Sequence, residues 1–482
     1  MSFVEQNKSA GTRASRSHDT LTLAVEHATR YLDNLDDMPV AARLTLDQLR
    51  DRLGGPVPQR GTPSAQVIDE LVAATDGGHN GCAGGRFFAW VIGGALDSAL
   101  AADWLTSTWD QNAALYACSP SAAVAEEIAG EWLKQMLDLP AEASCAFTTG
   151  CPRAQSTCLI AARHAVLQRA GWDVNEQGLF GAPRIRVITT AERHHSIDRA
   201  VRLLGIGNRN LITLPTDDAG RIDTAKFEST LHSEQCPTIV ILDAADLNIA
   251  AFDPFDRLIP LAHAAGAWVH IDGAFGLMAR ASRAKRQLMP GIELADSLAT
   301  DCHKWLNVPY DCGLGVVRDR AVHRASMTIS ASYIAAEGRA RDEIDWNIEW
   351  SRRARGFTVY AALRELGREG LERLIDNCCD HAAAIVDGIG RLPGAEALWR
   401  PTLNQGLVRF LDPRAGATDA DHDARTDAII AAINAGGEAF FSGTTWRGKR
   451  AMRVSVVNWR TTSEDVQRVV AAAKAAIAQS SS

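Results

Sequence analysis

Two stretches hold residues whose types and spacing can do chemistry: HIDGAFGLMARAS at 270–282 and DSLATDCHKWLNVPYDCGLGVV at 296–317. The first closes a β-rich run at Asp272, a carboxylate followed by Gly273 and Ala274. The second leads a similar run into His303 and Lys304. In an open α/β sheet, ligands sit beyond the carboxyl ends of strands, so Asp272 and Lys304 meet at one cleft edge. A lysine there, its pKa lowered by burial or a nearby cation, can hold an aldehyde as an imine. A carboxylate beside it can keep a pyridine nitrogen protonated, so that the ring accepts electrons. Those two demands are the demands of pyridoxal 5′-phosphate (PLP). A turn aspartate and a surface lysine would explain either motif alone, but not both in this order at two strand ends.

The elements that must position this pair are legible as changes of texture along the chain. With 482 residues, 46% of them hydrophobic, there is material for two or more cores. Residues 1–18 are polar and read as a disordered tail. Residues 19–100 read as an N-terminal helical segment, with apolar residues at helical spacing over Leu21–Leu35 and a Pro/Gly-rich connector at 54–65. Residues 94–116 and 120–137 read as helices. In a large domain at 101–356, strand candidates at Arg184–Thr189, Thr238–Asp243, Ala267–Asp272, Ser297–Asp301 and Gly313–Arg318 alternate with helical runs. They are continuously apolar, as buried parallel strands are. Residues 357–482 read as a smaller α+β domain: a long helix to about Leu392, strands at Gly406–Leu411 and Met452–Asn458, and a last helix with Val466, Val469, Val470, Ala473 and Ile477 on one face.

Composition narrows the function. A net charge of -8 and no basic block give no reason to expect nucleic acid. No apolar run is long enough to span a membrane, and the first twenty residues do not read as a signal peptide. The ten cysteines lack CxxC or Cys/His spacing, so no metal is expected; reduced thiols in a cytoplasm are.

HIDGAFG, DCHKWLNVPYDCG and NWRTT together resemble the group II pyridoxal-dependent decarboxylases, which include aromatic amino acid and glutamate decarboxylases. The resemblance runs from about residue 20 to 475. It implies PLP fold type I: a mostly parallel seven-stranded sheet in a large domain, a smaller C-terminal domain, and a homodimer with sites at the interface. It implies that Lys304 forms the Schiff base, Asp272 pairs with the pyridinium, Ala274 packs on the ring and His303 helps hold the phosphate. In TAERHHSIDRA (190–200), the family register selects His194 as the histidine stacked on the cofactor. The alternative is that His194 and His195 cap the helix that starts near Ser196.

Three departures from the family stand out. The phosphate cradle falls at FTTGCPRAQSTCL (147–159), where a strand end, a glycine and a helix start offer free N–H groups; Thr149, Gly150 and Cys151 are the expected contacts. The usual T-S-G-G-T-E-A-N is altered: Pro152 replaces a hydroxyl and lacks an N–H, and Arg153 replaces an acid. Arg153 either contacts phosphate or is a solvated helix residue. The second departure is in the mobile loop, AAEGRARDEIDWNIEWSRR (335–353), which lacks the tyrosine that protonates the quinonoid intermediate in relatives. Glu343 falls at that position, Trp346 is the nearest aromatic, and Tyr310 and Tyr333 lie outside it. The third is Gly84-Gly85 in place of a His-Pro pair. Nearby Phe87, Phe88, Trp90 and Trp104 either form a substrate wall or belong to the core. Arg453, on the strand MRVSVVNW, either binds a substrate carboxylate or makes a structural ion pair.

The expected activity is α-decarboxylation of an L-amino acid with an aromatic or apolar side chain. The alternatives are decarboxylation coupled to oxidative deamination, transamination, and a non-catalytic PLP-binding protein.

Overall fold

The computed structural model describes residues 13–328 and 340–480. Seven strands form the central sheet: β1 (Ser144–Thr148), β2 (Arg186–Thr190), β3 (Leu211–Leu214), β4 (Thr238–Asp243), β5 (Trp268–Asp272), β6 (Ser297–Asp301) and β7 (Gly313–Val317). Their order is β1-β7-β6-β5-β4-β2-β3. The run from β3 to β6 is parallel, and β7 lies antiparallel to both β6 and β1. This is the mostly parallel seven-stranded sheet that the sequence implies. β4, β5, β6 and β7 are buried along their whole length, which is why TIVILD, WVHID, SLATD and GLGVV carry no exposed alternation. β3 was not anticipated: LITL is an edge strand, only partly buried, with no long apolar run to announce it.

Register sets the site. Asp243 pairs with Asp272 across β4 and β5, Asp272 with Ala299 across β5 and β6, and Asp301 with Gly313 across β6 and β7. Three carboxylates thus stand on consecutive strands, Asp243 and Asp272 level and Asp301 two residues beyond their row.

Before the sheet come α1 (Arg13–Asp33), α2 (Leu46–Leu53), α3 (Ser64–Thr75), α4 (Asp97–Trp109) and α5 (Pro120–Met136). The helix expected over Leu21–Leu35 starts earlier, at Arg13; residues 1–12, most of the expected tail, lie outside the described residues. α6 (Cys151–Arg169) starts directly after β1 and packs beneath β5, β6 and β7. The helix Gly356–Gly390 is interrupted at Gly367, whose φ of 57° only glycine tolerates readily. It packs on α4, α5 and a second, four-stranded antiparallel sheet. That sheet has the order β10-β11-β9-β8, from β8 (Ala395–Trp399), β9 (Gln405–Phe410), β10 (Ser442–Trp446) and β11 (Lys449–Ser455). The two strands read from sequence are β9 and β11, its centre. The edge strands β8 (AEALW) and β10 (SGTTW) are only partly buried and carry no continuous apolar run, which hid them. Among the described residues, no helix is long and apolar enough to cross a membrane.

The N-terminal segment is clasped between the two sheets. Arg86 donates to the carbonyls of Glu438 and Asp36, both at 2.7 Å. Asn458 Nδ2 donates to the Gly84 carbonyl at 2.9 Å. Asn307 Oδ1 accepts the N–H groups of Gly94 and Trp459. The HKWLN and NWRTT motifs therefore knit three parts of the chain together.

A buried ionic network fixes the segment that follows residue 339. Arg352 Nη1 lies 2.7 Å from Glu126 Oε2, and the same guanidinium donates to the carbonyls of Ala113 and Phe147. Both side chains are essentially inaccessible to water. Removing one partner of such a pair strands the other charge without solvent. Arg352→Ala is expected to cost about 3–5 kcal/mol of unfolding free energy, read by denaturant titration. Arg283→Ala, which breaks an exposed, solvent-screened pair with Glu372, is expected to leave the unfolding transition nearly unchanged.

Candidate active site

The carboxyl ends of β5 and β6 bring Asp272, Asp301, His303 and Lys304 to one place. Lys304 Nζ lies 3.0 Å from Asp301 Oδ2. Burial works against the ammonium, but Asp301, then Cys151 and Asp272, outweigh it and hold Lys304 above its ordinary value. Asp301 Oδ1 accepts the Cys151 N–H at 2.5 Å. His303 Nε2 is 3.5 Å from the same oxygen. His303 Nδ1 accepts the Cys312 N–H at 3.1 Å, which puts the proton of the neutral ring on Nε2. Burial keeps that ring below its usual pKa, with Asp301 opposing. Tyr310 packs on His303, with ring centroids 4.2 Å apart.

Asp272 is buried, and its Oδ1 accepts the Ala274 N–H at 3.2 Å. Burial pushes its carboxyl up, while His194, Lys304 and the Ala274 N–H pull it down. Ala274 packs against Cys151, Ala154 and Ala299 at the head of α6. His194 lies close enough for its charge to act on Asp272. It also caps the helix His195–Leu203: its Nδ1 accepts the Ser196 N–H at 3.2 Å. The two readings of His194 are therefore compatible, because capping uses Nδ1 and leaves Nε2 carrying the proton. Loss of surrounding water, opposed by Asp272 and helped by Lys304, holds the imidazole below its usual value. His195 is exposed.

At the β1–α6 junction, Gly150 has a φ of 78° and leaves the first turn of α6 without a side-chain cap. Thr149 gives both its N–H (3.0 Å) and its hydroxyl (2.5 Å) to Glu349 Oε1. Glu349 Oε2 in turn meets Arg355 at 3.2 Å. Arg153 is exposed on α6.

The substrate candidates separate. Phe87 and Phe88 are buried in the core, stacked on Phe440 at 5.0 Å and Phe441 at 5.3 Å. Trp90 and Trp104 are 51% and 39% exposed. Arg453 is buried; its Nη1 donates to the Leu247 carbonyl at 3.0 Å, and its Nε has no hydrogen-bond partner. Burial lowers its pKa to about 10, with only Asp246 opposing. The Asp246 oxygens are themselves committed to the N–H groups of Asn248, Ile249 and Ala251.

Glu343, at the position of the absent tyrosine, is buried and paired with Arg341 at 2.7 Å. Trp346 is buried under the Arg341 guanidinium at 4.5 Å. Both serve the network around Arg352 and Glu126. Tyr333 and residues 335–339 lie outside the described residues. Three residues at this site were not anticipated. Asp301 was visible as the first residue of DCHK at a strand end. Glu349 had no local signal. Gly93 shows only in space: a Cβ there would lie 2.1 Å from the Lys304 carbonyl oxygen.

Residues 51–410 match the pyridoxal-dependent decarboxylase conserved domain. The chain is 26% identical to the aromatic-L-amino-acid decarboxylase of Bacillus atrophaeus, over 94% of this chain and 93% of that one. It is 30% identical to the L-2,4-diaminobutyrate decarboxylase of Rhizobium meliloti, over 77% and 74%. In fold it is similar to a crystal structure of Oryza sativa TDC with PLP and tryptamine, with a TM-score of 0.90 at 24% identity, over 98% of this chain and 99% of that one.

The residues present fit PLP. A primary amine, a buried carboxylate on the neighbouring strand and an imidazole with a free N–H converge, and glycine at 93 keeps the backbone behind Lys304 clear. Gly93→Ala is expected to displace the lysine segment and lower cofactor uptake, read by visible absorbance. The same change at the open position Gly61, where nothing lies within 4 Å, is expected to leave uptake unaltered.

Proposed function

The chain belongs to the pyridoxal-dependent decarboxylase family and is a PLP-dependent amino-acid decarboxylase, and we propose that it holds its cofactor through Lys304 and decarboxylates an L-amino acid with an aromatic or apolar side chain. The observation that carries this reading is that Lys304, Asp272 and His194 lie at or just past the carboxyl ends of the parallel strands β6, β5 and β2, close enough for their charges to act on one another. When bound, PLP supplies an aldehyde for amines and a ring that accepts electrons.

The side chains divide the remaining work. Asp272, anionic and buried, is the partner for the ring nitrogen. Ala274 presents a small apolar surface at the ring. His303 Nε2–H and the Cys151 N–H face the phosphate end, with Thr149 and Gly150 shaping the turn. His194 Nε2–H is a donor for the substrate carboxylate, and it sits where a proton can be returned to carbon. Arg453 is a buried guanidinium with donor capacity to spare, suited to a substrate carboxylate. Because that carboxylate leaves as CO2, a contact to it acts on substrate binding more than on the chemical step. The kinship with an aromatic-L-amino-acid decarboxylase supports the choice of side chain, as do the exposed indoles of Trp90 and Trp104. A homodimer is part of the reading: Trp90, Trp104, Leu105, Trp109 and Tyr310 are each 39–55% exposed in one chain and are candidates for cover by a partner subunit.

Incubation with a panel of L-amino acids, assayed for CO2, amine, aldehyde and peroxide, tests this. Amine and CO2 from aromatic or apolar substrates, lost by several orders of magnitude in Lys304→Ala, is the expected result. Aldehyde with peroxide would replace it by oxidative deamination. His194→Phe keeps a ring but loses the proton, and kcat is expected to fall on the order of 10²–10⁴-fold. Arg453→Met removes a charged hydrogen bond, so KM is expected to rise about 10- to 100-fold with kcat less affected.

A further inference from the structure

At the phosphate end of the site, carboxylates already hold donors that an incoming phosphate would use. Pro152 has no N–H, and the Arg153 N–H already donates to the Gly150 carbonyl at 3.1 Å. That leaves the Cys151 N–H as the first-turn donor for an anion, and Asp301 Oδ1 holds it. Glu349 holds both donors of Thr149. A phosphate arriving here meets an ionised carboxylate in a buried setting, where like charges repel strongly. The other oxygen of Asp301 meanwhile holds Lys304 Nζ at 3.0 Å as an ammonium, which is not a nucleophile.

We propose that Asp301 takes the Lys304 proton as the cofactor docks, and so gains a hydroxyl at Oδ2 that can donate to the phosphate, while Oδ1, now an oxygen of a neutral acid, holds the Cys151 N–H less strongly. The inference rests on Lys304 being the residue that holds the cofactor. One N–H bond at Nζ breaks and one O–H bond at Asp301 Oδ2 forms. Lys304 becomes a neutral amine and Asp301 a neutral acid, and no proton is exchanged with solvent. Both obstacles to docking are removed by the one transfer.

Among the described residues that face Asp301, Lys304 is the cation in contact with it, and Tyr310, packed on His303, is held above its ordinary value by burial and by Asp301 itself. His303, which follows it in the chain, is neutral, with Nδ1 committed to the Cys312 amide. The Cys151 thiol on α6 is buried and held well above its ordinary value, and the Cys302 thiol is likewise buried. Asp272 on β5 is a carboxylate. Removing the ammonium's proton to solvent instead would leave Asp301 facing the phosphate with no cation beside it.

Infrared difference spectroscopy between the cofactor-free and PLP-loaded protein tests this directly. The C=O stretch of a protonated carboxylic acid is expected to appear on loading and to be lost in Asp301→Asn. A loaded protein without that band, or with a band that survives Asp301→Asn, overturns the proposal. Phosphorus NMR of the loaded parent protein gives a second test that needs no variant. A neutral Asp301 leaves the bound phosphate a dianion across neutral pH, with a flat chemical shift. A shift that titrates there, as for a phosphate held protonated by a neighbouring anion, overturns it. Borohydride reduction and peptide mass analysis separate the two readings. Label on Lys304 without the acid band sinks this inference alone; no label on Lys304 sinks the attachment on which it rests.

Discussion

The contact on which the site depends is the double engagement of the Asp301 carboxylate. One oxygen holds the Lys304 ammonium and the other holds the first amide of α6. Because Asp301 is the last residue of β6, this single side chain joins the sheet, the lysine loop and the helix N-terminus. The backbone is shaped to the same end: a Cβ at Gly313, opposite Asp301 across β6 and β7, would lie 2.3 Å from the Gly150 carbonyl carbon. The turn before α6 can therefore close onto β7 only because Gly313 lacks a side chain. With the turn in place, Asp301 and the Cys151 amide are held within hydrogen-bond distance.

A second set of charges does mechanical rather than chemical work. Arg352, Glu126, Arg341 and Glu343 form a buried cluster that fastens residues 341–355 to α5 and β1. Burial drives Glu126 upward against the pull of Arg352, so the cluster is held by pairing and not by solvent. The same fastening delivers Glu349 to Thr149 and Arg355 to Asp311. The described part of the segment that the sequence marks as a mobile loop is here a strut between the helical layer and β1, and Glu343 within it pairs with Arg341.

Much of this was legible in the sequence, and the limits were physical. β4 and β6 were read to the residue, because TIVILD and SLATD are buried on both faces and bounded by turns. Asp272 and Lys304 were legible because strand-end chemistry follows from the α/β layout. The edge strands β3, β8 and β10 were not, since half-exposed strands carry no continuous apolar signal. Whether Phe87 faced substrate or core stayed open until Phe440 appeared beside it, from a segment more than three hundred residues away. Glu349 and Gly93 act through contacts of the same kind. His194 could not be resolved into cap or cofactor contact because it serves the cap through one nitrogen and leaves the other free.

The pairing of Asp243 with Asp272 raises the question of which carboxylate faces the cofactor as an anion, and their surroundings answer it. Two adjacent buried carboxyls cannot both ionise cheaply. Asp272 has Lys304 and His194 nearby and accepts the Ala274 N–H. Asp243 faces Asp253, Asp272 and Asp246 with only Arg193 opposing, and its Oδ2 has no hydrogen-bond partner. Burial and acidic neighbours therefore push the Asp243 carboxyl well above its ordinary value, while His194, Lys304 and the Ala274 N–H draw Asp272 back toward the charged form. On the proposed reading, that difference in surroundings favours Asp272 over Asp243 as the anion beside the ring nitrogen.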